Sequence, residues 1–213
     1  MAFIGIEEAA RYAVENGLFS LSDEAFLVLY PIKIVCVALV LLFYFRDYAE
    51  IRLKDIRNLK HLLASLLLGG LVFILWINMD RFAFNTTPGQ GFNPNVFEDA
   101  TLRNFMIGTR LAGAVLLVPI MEELFWRSFL IRYVIETDFS KVPIGQFTWA
   151  SCAITVVLFG LEHNLILAGM MAGLAYNLLL YYTRSILHCT LSHAITNLLL
   201  GIYVLQTGHW HFW

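Results

Sequence analysis

Two adjacent glutamates and an arginine, Glu122, Glu123 and Arg127, interrupt an otherwise apolar run from Val118 to Tyr133. In a membrane helix each such charge costs about 2.5–3.5 kcal/mol by insertion scales, so three unpaired charges would cost about 8–10 kcal/mol. That is comparable to the roughly 5–15 kcal/mol holding a whole domain together, so the charges must be compensated or used. Glu123 and Arg127 are four residues apart, share a helical face and can neutralise each other. Glu122 points about 100° away and has no partner on its own helix. A carboxylate of that kind can act as a general base.

Two further polar groups lie inside apolar segments. One is Phe159-Gly160-Leu161-Glu162-His163-Asn164, and the other runs from His188 to Asn197. Phe159 and His163 are four apart, as are His193 and Asn197, so each pair shares a helix face. Hydrolysis of a peptide bond needs a base to activate water, an acid for the leaving amine, and donors for the oxyanion. Glu122 suits the base, and His163 could bind the same water or shuttle its proton. His193 and the Asn197 amide suit the oxyanion, with Glu123, Arg127 and Phe159 supporting them. Each group also has a plain structural reading, because intramembrane polar side chains commonly bond neighbouring helices. We assign that reading to His188, Glu162 and Asn177, and read Gly169-x-x-x-Gly173 as a close-packing face. His209 and His211 belong to an interfacial aromatic end, Gly208 to Trp213.

The elements that position these groups follow from composition. Of 213 residues, 59% are hydrophobic and only 14% charged, which places the chain among integral membrane proteins. A net charge of −2 offers nothing to a nucleic acid. Cys36, Cys152 and Cys189 fall in apolar segments with no framework spacing and read as buried thiols. A short polar helix, Ile4 to Asn16, precedes a first span from Ala25 to Phe45 that is capped by Ser20 or Ser22 and contains Pro31. A basic hinge, Arg46 to Lys60, leads to a second span, His61 to Met79, and a loop, Asp80 to Ala100, rich in turn residues. Thr101 to Ile135 reads as one long tilted helix kinked near Pro119. Further spans are expected at Phe147–Leu165, Leu167–Tyr182 and Ile186–Leu205. The fold class is therefore all-α: a polytopic membrane bundle of about six (six to eight) helices, one domain over 1–213, with its polar site inside the membrane. With the N-terminus outside, inner segments hold eight basic residues (Arg46, Arg52, Lys54, Arg57, Lys60, Arg132, Lys141, Arg184) against three outside (Arg11, Arg81, Arg103), which sets the expected orientation.

The order Glu-Glu-x-x-x-Arg, Phe-x-x-x-His, His-x-x-x-Asn along the stretch 101–205 resembles the CAAX-protease and bacteriocin-processing (ABI) family of glutamate-type intramembrane proteases. The phrases P-I-M-E-E-L-F-W-R-S-F-L and L-F-G-L-E-H look closest to its exosortase-associated branch in the bacterial inner membrane. Ser128 stands where many relatives carry glycine, and the expected spans are fewer than in the eukaryotic endopeptidase. The resemblance implies catalysis by Glu122, His163, His193 and Asn197 without a cofactor. Its substrate would be a membrane-anchored protein or peptide in the lipid bilayer, cut near its C-terminal anchor. A zinc-dependent version, with Glu122, His163 and His193 as ligands, is the alternative mechanism. A non-catalytic peptide-binding or immunity protein is the alternative class. A proton-coupled transporter predicts broken spans in paired halves, which the sequence does not contain.

Overall fold

The computed structural model describes residues 10, 12–14, 16–18, 23–79 and 91–213. Most of the expected N-terminal helix, the Ser20 and Ser22 caps and the loop residues 80–90 lie outside them. Six principal helices follow: α1 (Asp23–Phe43), α2 (Leu59–Met79), α3 (Ala100–Ile135), α4 (Trp149–Leu161), α5 (Ile166–Thr183) and α6 (Ile186–Thr207). Short 3₁₀ turns occupy some of the connections, and no strand occurs among the described residues. The helix starts are marked by conventional caps. Asn58 Oδ1 accepts from His61 N–H before α2 (3.3 Å), Asp99 Oδ1 from Leu102 N–H before α3 (2.7 Å), and Thr148 Oγ1 from Ser151 N–H before α4 (3.1 Å). At the far ends, Gly208 closes α6 in the left-handed region (φ 73°).

Five of the helices are long and apolar enough to cross a membrane; α4 is not. Its 13 residues rise only about 20 Å, against roughly 30 Å of hydrocarbon. The span expected over Phe147–Leu165 is thus corrected to a shorter helix that ends in a turn at residues 162–165. The 36-residue α3 is one continuous helix, as expected, but it is not simply bent at Pro119. π-helical turns at Gly113–Leu117 and Leu124–Leu130 flank the proline, and such turns occur preferentially at functional sites.

The centre of the bundle is α6: 56% of its apolar window is enclosed, against 6% for α1. The exposed face of α1, including Leu39, Leu42 and Phe43, supplies a lipid-facing surface. The Gly169–Gly173 stripe of α5 meets α4 as expected. A Cβ at residue 169 would lie 3.0 Å from the Gly160 Cα, and one at residue 173 would lie 3.2 Å from the Phe159 ring. Asn177 on the same helix donates to Thr155 Oγ1 on α4 (2.9 Å). One end of the bundle is closed by polar contacts between distant segments. His188 bonds Ser65 Oγ (3.0 Å) and the Asp55 carbonyl (3.1 Å), and Ser185 Oγ donates to Asp55 Oδ2 (2.6 Å). Arg132, counted above among the inner basic residues, is buried on α3. It pairs with Glu50 at 2.9 Å and also donates to the Ser128 carbonyl. At the opposite end Phe92, Phe97 and Met106 form a small core against Leu27, Tyr30 and Trp213, and Phe92 N–H donates to the Trp213 carbonyl (2.9 Å).

Candidate active site

A cavity of about 260 Å³ opens between α1, α2, α3, α4, α5 and α6. Glu122, His163, His193 and Asn197 all line it, together with Tyr30, Trp76, Arg110, Phe159, Tyr176 and Trp213 among others. The residues singled out from the sequence are therefore brought to one place, although they come from two helices and the turn after α4.

On α3 the two glutamates diverge as their spacing dictates. Glu123 is fully buried, and its Oε1 accepts from the Arg127 guanidinium (3.1 Å) and from His193 Nδ1 (2.9 Å). Arg127 is equally buried and also donates to the Gly173 carbonyl of α5 (3.3 Å). The Phe159 ring lies 4.4 Å and the Tyr176 ring 5.2 Å from its guanidinium carbon, so two ring faces share in stabilising the charge. Glu122 turns to the cavity instead. Its Oε2 has no hydrogen-bond partner among the described residues and stands 4.0 Å from His193 Nε2.

The histidines are oriented through one nitrogen each. His163, in the turn after α4, places Nδ1 2.7 Å from the Phe159 carbonyl. A carbonyl can only accept, so Nδ1 carries the proton and Nε2 keeps its lone pair. His193 Nδ1 likewise donates to Glu123. Tyr176 stacks on the His193 ring at 5.1 Å and ties its own hydroxyl to Thr196 Oγ1 (2.8 Å), which reaches on to the Gly69 carbonyl of α2 (3.0 Å). This orientation sets the protonation state that the role expected for His193 requires. A neutral ring whose N–H is spent on Glu123 has only a lone pair at Nε2, so it could donate to an oxyanion only as imidazolium.

Asn197 Nδ2 donates to the Ala114 carbonyl on α3 (2.8 Å). The first π-helical turn explains why this carbonyl is available. There the backbone bonds run from residue i to i−5, with Val118 N–H on the Gly113 carbonyl. The next donor in that series would be residue 119, and a proline has no N–H to give. The Asn197 amide replaces the missing donor with one of its two N–H groups and retains the other.

Three residues of the site carried no distinguishing mark in the sequence: Trp76, Tyr176 and Arg110. Aromatic residues in apolar helices read equally well as lipid-facing or core. Arg110 is the only lysine or arginine lining the cavity among the described residues, and it is treated below. As to a metal, no group of three or more His, Cys, Asp or Glu side chains is placed to hold an ion among the described residues.

Comparison with known proteins adds one finding. Residues 104–199 match the family model described as Type II CAAX prenyl endopeptidase Rce1-like. No curated protein and no solved structure matches the chain. The matched stretch runs from the start of α3 almost to the end of α6 and contains both glutamates, Arg127, His163, His193 and Asn197. Residues 104–199 are thus similar to the CAAX protease family, and they are carried by an integral membrane protein with five apolar helices of spanning length.

Proposed function

We propose that the protein is an intramembrane endopeptidase in which Glu122 activates water without a covalent acyl-enzyme. The observation that carries this reading is the cavity-facing Glu122 carboxylate, its Oε2 unpartnered among the described residues, beside a second carboxylate, Glu123, whose Oε1 is held by both Arg127 and His193. A charge count gives the mechanism. Glu122, Glu123 and Arg127 sum to −1, and one proton shared between Glu122 and His193 makes the buried cluster neutral. With that proton on His193, Glu122 is a free base and the imidazolium, held by Glu123, is an acid 4.0 Å away. Water between Glu122 and the lone pair of His163 Nε2 loses a proton to Glu122 as its oxygen attacks the scissile carbonyl. The oxyanion is met by the second Asn197 N–H and by imidazolium Nε2–H. His193 then passes its proton to the leaving amine, and Glu122 returns the first proton to the cluster.

The substrate class we propose is a membrane-anchored protein cut near its C-terminal anchor, entering from the extracytoplasmic side. With the N-terminus outside, Arg110 and the segment at residues 91–99 lie on the outer side of Glu122. Glu122 itself is about 20 Å before the inner end of α3. Purified protein in lipid nanodiscs should cleave such a substrate at a single bond, read by mass spectrometry. Glu122→Gln should lower the rate at least about 10²-fold, because shape is kept and the base removed. Undiminished turnover in pure Glu122→Gln protein would refute the assignment. Comparing the masses of anchored proteins in cells with and without the gene identifies the natural substrate.

A further inference from the structure

Arg110 lines the same cavity as Glu122 but takes no part in the chemistry above. Its guanidinium carbon lies 4.6 Å from the Tyr30 ring and 5.5 Å from the Phe92 ring. Its Nε is buried without a hydrogen-bond partner, and no acidic group forms an ion pair with it among the described residues. The other arginines inside the bundle differ: Arg127 pairs with Glu123, and Arg132 with Glu50. A cation within a membrane bundle is costly unless an anion or water meets it. Contacts to two rings and a hydrogen bond to the Tyr30 hydroxyl hold the guanidinium in place, and its unpartnered Nε–H leaves donor capacity for a carboxylate oxygen.

We infer that Arg110 is a substrate-binding residue that holds a carboxylate of the peptide. This rests on the reading of the cavity as a peptide site. Arg110 and Glu122 are twelve residues apart on α3, a rise of about 18 Å. An extended peptide covers that distance in about five residues at roughly 3.3 Å each. The carboxylate recognised therefore lies within about five residues of the scissile bond. It is either the free C-terminus of the chain or an Asp or Glu side chain, and the chemistry of the guanidinium is the same for both.

The test is direct binding of three peptides to purified protein in detergent: acetyl-Ala-Leu-Ala-Leu-Ala as free acid, its C-terminal amide, and the amide with its last residue replaced by glutamate. Wild-type protein should bind at least one carboxylate-bearing peptide about tenfold or more tightly than the uncharged amide. That preference should vanish in Arg110→Gln and return in part in Arg110→Lys. Tight binding of the free acid alone identifies a terminal carboxylate, and tight binding of the glutamate amide identifies a side chain. Equal binding of all three peptides to wild-type protein overturns the inference, whatever the fate of the variants. Repeating the titration in Glu122→Gln separates the two claims. A charge preference that persists while wild-type protein cleaves nothing would refute the catalytic reading and leave Arg110 as the anchor.

Discussion

If the Asn197 amide stands in for the N–H that Pro119 lacks, then removing Asn197 should be costly only while the proline is present. Asn197→Leu strands the Ala114 carbonyl, now bonded at 2.8 Å, and an orphaned polar group of this kind costs about 1–3 kcal/mol. In a Pro119→Ala background the backbone regains an N–H at residue 119, which can serve the π-helical turn directly. The same Asn197→Leu change should then cost about 0.5 kcal/mol or less, so the two sites should couple by about 1–2 kcal/mol. The assay is equilibrium unfolding in mixed micelles of the four proteins of the cycle. Equal destabilisation by Asn197→Leu in both backgrounds would refute the substitution of side-chain amide for backbone amide. Turnover separates the structural part of Asn197 from the chemical one. Its second N–H is proposed to meet the oxyanion, so activity should stay about 10²–10³-fold down even where stability is restored.

Two other outcomes follow from the geometry. Arg127→Ala leaves Glu123, which is fully buried, without its guanidinium and should cost about 3–5 kcal/mol, measured by the same unfolding titration. Adding Glu123→Gln should recover part of that loss, and no recovery would mean that the ring contacts of Arg127 dominate over its ion pair. For topology, a cysteine at the exposed Asn95 should label with a membrane-impermeant thiol reagent on intact cells while one at the exposed Lys141 should not, and the reverse pattern would overturn both the orientation and the proposed side of entry.

The parts of the site legible in the sequence are those where a charge sits in an apolar run. Glu122, Glu123 and Arg127 violate the local composition so strongly that burial in company is the only economical outcome, and the 3.1 Å pair of Glu123 and Arg127 follows from spacing alone. Contacts made across the chain had no such mark. Arg132 looked like one more inner-loop cation, and its partner Glu50 is 82 positions away. The end of α4 was also hidden, because Glu162-His163-Asn164 reads as a polar site within a span reaching Leu165, while the helix stops at Leu161. Hydropathy registers burial or lipid but not hydrogen bonding, so it cannot separate a span from a short helix followed by a turn. Pro119 was read as a kink, when the more informative reading was a carbonyl left without a donor.

The recurring spacing of four has a common physical meaning in this bundle. In each motif at least one residue acts as a strut between helices while another faces the cavity. Arg127 braces α3 against the Gly173 carbonyl of α5, and Phe159 of α4 packs on the Arg127 guanidinium. Asn197 ties α6 to Ala114 of α3, and His193 ties it to Glu123. A helix residue shares its face with those three and four positions away, so an interval of four sets each pair side by side and makes the packing of the helices the positioning device for the chemistry. Changes at the struts must therefore disturb stability and rate together. Glu122 has no hydrogen-bonded strut to lose, since its Oε2 is unpartnered. Substitution there can remove the base while the helices stay in register, so a loss of activity at Glu122 without a loss of stability is the signature that separates catalysis from architecture.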